Sequence, residues 1–192
     1  MKILALDLAT KTGWAWSDGT LYESGVQDFS VKSRESKGML YVRFVGWLLG
    51  LLKALPVDVV AYEQPHMRGA GTTIAVGLET RIHEIHATAA ANGLTEFEYV
   101  AAHGGSVKKA VLGSANPGHV KAGAPKGVRR SANKKASMEW FQQKTGREPA
   151  DDNEADAMML LEWAQREFEG TGLKAGVQVN VLSCRPTEGE AL

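Results

Sequence analysis

The stretch KILALDLATKTGWAWSDG, residues 2–19, decides the fold. Residues 2–8 alternate too little for a half-exposed strand and predict one buried on both faces. Gly13 and the run Trp14-Ala15-Trp16 predict a second strand. Ser17-Asp18-Gly19 then forms a hairpin turn, and a third strand spans 25–29. The first carboxylate of the chain, Asp7, stands inside this apolar run. A buried carboxylate costs several kcal/mol unless it is paired or bound to a cation, so Asp7 needs a partner or a task.

Working outward, Leu40, Phe44, Trp47, Leu48, Leu51 and Leu55 recur at helical spacing between Glu35 and Leu55, and Pro56 stops that helix. Residues 57–62, VDVVAY, read as a second β-branched buried strand, ending next to Glu63. Ile74, Leu78, Ile82, Ile85 and Ala89 mark an amphipathic helix over 73–91, closed by Asn92-Gly93. A strand follows at 97–100. The segment 113–131 is rich in Gly and Pro and reads as a mobile basic loop, with helices at 132–145 and 151–168. The expected architecture is α/β: a mixed five-stranded sheet flanked by helices, a domain over 1–169 and a tail over 170–192 holding one β-like run at 177–182.

The 192 residues suit one globular domain, and 44% hydrophobic with 23% charged residues allow a sizeable core. No apolar run approaches the roughly 18 residues that span a bilayer. The start of the chain passes straight into strand-like sequence, and Cys184 is the single cysteine, so a cytoplasmic, reducing setting is expected. The net charge of zero hides an asymmetry. Between Tyr99 and Met138 there is no acid, yet Lys108, Lys109, Lys121, Lys126, Arg129, Arg130, Lys134 and Lys135 fall there. Elsewhere 14 basic residues face all 22 acids, a balance of −8. Such a segment reads as a polyanion footprint, against the blander reading of a solvated loop. The tryptophans read mostly as core, and His83 and His86 as helix-surface residues.

The chemistry lies in the acids. Two buried strands each deliver one carboxylate, Asp7 and Glu63, to the rim of the sheet. In the last helix, DDNEADAMMLLEWAQREF, Asp152 and Asp156 share a stripe with Met159 and Trp163 that should face inward. Asp151 and Glu154 point elsewhere, and Asn153 sits at the margin. Acids at i and i+4 on an inward stripe repel one another unless something positive lies between them. Any one of them could be structural, for instance Asp151 or Asp152 as a helix cap. The set of four points to hard-oxygen ligation of Mg²⁺ or Mn²⁺. Two such ions about 3.5–4 Å apart serve in-line phosphoryl transfer to water.

The elements LALDLATKTGWA, YEQPHMRGAGTTIAVGLETRIHE, EFEYVAAHGGSVKKAVLGSA, SANKKASMEWF and DDNEADAMMLL, covering most of 3–165, resemble the RuvC family of Holliday junction resolvases. That family lies within the RNase H-like (retroviral integrase-type) superfamily, and the likeness is to its phage or prophage type. The resemblance implies a homodimeric endonuclease that resolves four-way DNA junctions by paired nicks. Asp7, Glu63 and Asp156 would be metal-binding catalytic residues. The family's fourth acid falls at Asn153, and the helical projection favours Asp152 as its replacement. Lys108 matches a lysine near the scissile phosphate, and Lys134 a second one. The family often stacks an aromatic shortly after the catalytic Glu, where this chain has His66. Segment 113–131 looks longer than the family's usual connection. The helix at 73–91 is the candidate dimer interface, and an accessory branch-migration motor is compatible with the reading.

Three rivals remain at this level. An actin-like ATP-dependent kinase also opens with Asp on a strand and a Thr/Gly turn, but needs about twice this length. A junction-binding protein with vestigial acids finds support in Asn153. A nuclease for flaps, forks or RNA–DNA hybrids would keep the chemistry and change the substrate.

Overall fold

A computed structural model describes residues 1–65, 70–116 and 125–169. Five strands form one sheet in the order β3-β2-β1-β4-β5. They are β1 Ile3–Asp7, β2 Lys11–Ser17, β3 Tyr22–Asp28, β4 Val59–Glu63 and β5 Glu98–Ala102. The first three form an antiparallel meander, with Asp7 opposite Gly13 and Ser17 opposite Tyr22. β4 and β5 add in parallel on the other side of β1, with Leu6 beside Tyr62 and Glu63 beside Ala102. The sheet is mixed and five-stranded, as the pattern of apolar runs predicts.

Five helices cover it: α1 Met39–Ala54, α2 Ala70–Ala87, α3 Gly104–Leu112, α4 Lys126–Thr145 and α5 Asp152–Glu169, with a short 3₁₀ turn at Ala90–Asn92. Strand alternation sorts the side chains. Leu4, Leu6, Trp16, Val60 and Tyr62 meet α1 and α2 through Phe44, Leu48, Leu78 and Ile82. Ile3, Ala5, Ala15, Val59 and Ala61 meet α5, together with Phe141 of α4 and Val107 of α3. Each fully buried Leu, Ile or Phe contributes about 1.5–3 kcal/mol relative to exposure. Asp7 and Glu63 follow the odd-numbered set on their strands and so point to the α5 side. The inner strands β1 and β4 are buried along most of their length because both faces are covered, whereas the edge strand β3 stays half-buried to exposed.

Several expectations need correction. The fourth helix begins at Lys126, not 132, so 126–131 belongs to a helix rather than to a loop. Pro125 stands at its N-cap, ahead of the first helical residue, where its missing N–H breaks no helical hydrogen bond. Residues 117–124 of that segment, with Lys121, lie outside the described residues, as do His66 and the tail 170–192 with its 177–182 run. The nine-residue α3 is a helix beyond those the apolar periodicity predicts. The stripe on α2 is not a free interface: Leu78, Ile82 and Ile85 are at most 3% exposed, packed in the chain's own core. His83 and His86 are not surface ornaments. His83 stacks on Tyr99 with centroids 4.5 Å apart and shares a 2.9 Å hydrogen bond with the Tyr62 hydroxyl, while His86 meets Tyr99 edge-on. Burial lowers the His83 pKa, since the packed ring disfavours its cation. Trp16, Trp47 and Trp163 are core residues, and the Trp16 indole N–H donates to the Pro56 carbonyl at 2.9 Å.

Candidate active site

Above the carboxyl ends of β1 and β4 opens a cleft of about 540 Å³. Parallel pairing of β1 with β4 brings Asp7 and Glu63 to the same rim, one residue past the Leu6–Tyr62 pair. The first two turns of α5 lie across this rim and bring Asp152 and Asp156 to its wall. That crossing is close: a side chain on Gly13 would meet the Asn153 carbonyl oxygen at 1.9 Å. Lys108 enters from α3, and Arg130, Asn133 and Lys134 from α4. The four predicted acids and three of the predicted basic residues therefore line one cleft.

The helix cap separates the acids by role. The Asp151 carboxylate accepts the backbone N–H groups of Asn153 and Glu154, at 2.9 and 3.2 Å, and is the N-cap of α5. The Asn153 side-chain amide also donates to Asp151, at 3.1 Å. Asp152 is turned instead toward the ammonium of Lys134, with which it forms an ion pair. Of the two positions open for the fourth acid, Asp152 presents a carboxylate to the cleft and Asn153 is engaged in the cap.

The electrostatics at the cleft are strained. Burial pushes the Asp7 carboxyl well above its usual value, and the neighbouring Asp156, Glu63 and Asp152 push it the same way, with only Lys108 opposing. Burial raises Asp156 as well, against Lys108, Lys134 and a hydrogen bond involving the Ser137 hydroxyl. Among the described residues, Asp156 Oδ1 is buried with no hydrogen-bond partner. A cation fits this donor set: hard carboxylate oxygens lining one cleft, one of them orphaned, whose burial and like charges raise the pKa of Asp7 and Asp156. Among the described residues no three such side chains are gathered as a ready-made ligand cluster.

Other predicted residues fall elsewhere. Lys109 and Arg129 do not line the cleft. Lys135 is paired with Glu139 at 3.6 Å along a neighbouring groove of about 410 Å³ between α4 and the α4–α5 turn. Lys126 is the first residue of α4. Sequence reasoning missed Gln64, Thr72 and Asn133, which line the cleft, and Ser137. Asn133 and Ser137 share a stripe with Lys134 within 132–145, the signal that could have found them, and Arg130 joins that stripe because α4 starts at Lys126.

The described residues build one sheet, where an actin-like kinase needs two lobes, and that reading falls. No described helix is long and apolar enough to cross a membrane. No family model matches the chain, and no curated protein matches it. Solved structures do. The structure of Thermus thermophilus RuvC superposes with a TM-score of 0.57 at 18% identity, covering 89% of this chain and 98% of that one. RuvC from the same organism in complex with a Holliday junction substrate gives the same score and identity, with 89% and 97% covered. The yeast mitochondrial Holliday junction resolvase Ydc2 follows at 0.49 and 14%, with 86% and 83% covered. The chain has the fold of RuvC, an RNase H-like mixed sheet with helices on both faces.

Proposed function

We propose that this chain is a divalent-metal-dependent endonuclease that resolves four-way DNA junctions. One observation carries the proposal. Acids from β1, β4 and α5 meet basic side chains from α3 and α4 in a single cleft, on a fold shared with RuvC. Asp7, Glu63, Asp152 and Asp156 would hold Mg²⁺ or Mn²⁺, two ions per site. Bound there, the metal would supply an activated water and neutralise charge on the departing oxygen.

The chain's own residues supply the rest. Lys108, whose charge opposes that of both Asp7 and Asp156, stands where it can stabilise a developing phosphorane. Arg130 and Lys134 bind the phosphates on either side of the cut, and Lys109, Arg129 and Lys135 extend the positive field along the arms. The fold of a homodimer would suit the two-fold symmetry of the junction, one nick from each subunit.

The test is a Mg²⁺ cleavage assay on four-way junctions, forks, flaps, RNA–DNA hybrids and linear duplex. Paired symmetric nicks confined to the four-way junction are the expected result. Equal cutting of every branched form would replace the proposal with a general branched-DNA nuclease, and binding without cutting would leave a recognition protein.

A further inference from the structure

Glu63 does not reach the cleft unaided. Past the Glu63–Ala102 pair, the chain turns at His103, whose ring accepts the Gly105 N–H at 3.2 Å, and α3 starts directly beneath the Glu63 side chain. Its first residue is Gly104, which is buried. A Cβ on Gly104 would lie 2.3 Å from Glu63 Oε1, 2.6 Å from its Cδ and 2.9 Å from Oε2. Three atoms of one carboxylate therefore occupy the space a side chain would fill. Gly104 also lines the deeper end of the cleft, with Asp7, Glu63, Lys108 and Asp156.

We propose that Gly104 is a positioning residue: its missing side chain sets where the Glu63 carboxylate stands relative to Asp7 and Asp156. The inference rests on the nuclease reading. The conflict is with the end of a flexible side chain and not with backbone, so the fold can absorb an alanine by rotating Glu63 away. The cost falls on the site. Backbone freedom does not explain this glycine, because only Gly19, Gly93, Gly113 and Gly146 among the described residues have positive φ. Alanine favours a helix over glycine, so a purely structural role predicts a variant as stable as the parent, or more so, with its activity intact.

The test compares G104A with G105A, whose new Cβ would meet the movable His103 ring at 3.2 Å and Ala115 Cβ at an ordinary 4.0 Å. In G104A we expect the single-turnover cleavage rate to fall about 10–100-fold, as for a reacting group misplaced by an ångström. Mn²⁺ affinity, read by electron paramagnetic resonance without DNA, should weaken about tenfold. Melting temperature and junction affinity in Ca²⁺ should stay at the parent's values, and G105A should match the parent throughout. E63D withdraws the carboxylate by one methylene and relieves the collision. Adding G104A to E63D should then change the rate less than about twofold, where independent effects would multiply. A cleaving parent with G104A equal to it in rate and Mn²⁺ affinity overturns this inference alone. So does a G104A penalty that persists unchanged in E63D. A parent that cuts no DNA overturns the nuclease reading, and the Mn²⁺ comparison then decides Gly104 by itself.

Discussion

Two acids on the first turns of α5, Glu154 and Asp156, are both withdrawn from solvent and have opposite fates. Glu154 is 1% exposed and fully partnered: it accepts from Arg147 at 2.5 Å, the Ala150 N–H at 2.6 Å and the Ser24 hydroxyl at 2.8 Å. Burial pushes its carboxyl up, but these donors outweigh burial and hold it below its usual value. Asp156, two residues on, keeps an orphaned oxygen and a raised pKa. An acid with every lone pair spoken for fastens the fold, here tying the end of α4 to α5 and β3. An acid left short of partners points to something that is not part of the chain.

The widest split should come from removing each charge. Asp156→Asn and Asp7→Asn should cut single-turnover cleavage about a thousandfold or more while junction binding persists. Neither should lower the melting temperature. Asp7→Asn should raise it, since each unit of upward pKa shift withheld from the native carboxylate is worth about 1.4 kcal/mol. Glu154→Gln should do the reverse, cleaving normally per folded molecule and melting earlier. Normal cleavage by Asp156→Asn would abolish the distinction.

Next in size is Arg147→Ala, which leaves Glu154 buried without its cation. A cost of about 2 kcal/mol is expected from urea melts, below the usual range for a broken buried pair because Arg147 itself is half exposed to water. A smaller loss of stability, about 1–2 kcal/mol, is expected from Gly13→Ala, where backbone meets backbone and α5 must shift. That variant should also cleave poorly, because Asp152 and Asp156 move with the helix.

pH should sharpen the contrast further. A raised native pKa means that the folded state holds protons the unfolded chain has lost. The burden of Asp7 and Asp156 thus grows as pH rises from about 4 through their native values. Glu154 works oppositely, stabilising above its unfolded pKa and losing that contribution as pH falls through its lowered one. Without metal, melting temperature against pH should therefore climb from strong acid and then sag toward neutrality, and Asp7→Asn should flatten the sag. Mg²⁺ should lift the parent more at pH 7 than at pH 5. The smallest effect is reserved for Lys135→Ala, whose exposed pair with Glu139 should be worth under about 0.5 kcal/mol in a melt.

Much of this was legible in the residues. The buried strands announced themselves by largely apolar runs, and the carboxylates at their far ends, Asp7 and Glu63, marked the rim. The helical projection separated Asp152 and Asp156 from Asp151, and the cap at Asp151 bears this out. Projection alone could not show that Glu154, pointing elsewhere, would be buried, because Arg147 and Ser24 reach it through tertiary contacts 7 and 130 residues away in sequence. Nor could it show the work of Gly13 and Gly104, since a close approach is visible only when both partners are placed. The first turns of α4 are illegible in the residues because Pro125 and Gly127 read locally as loop residues.

The account turns on whether the acids of this cleft cut DNA through a metal. The most direct measurement is Mg²⁺-dependent nicking of a synthetic four-way junction by the parent chain beside Asp7→Asn. Nicking by the parent that vanishes with EDTA, and a variant that binds the junction without cutting it, is the expected result. Equal nicking by both proteins, or a parent that binds the junction yet cuts it with neither Mg²⁺ nor Mn²⁺, would contradict the account.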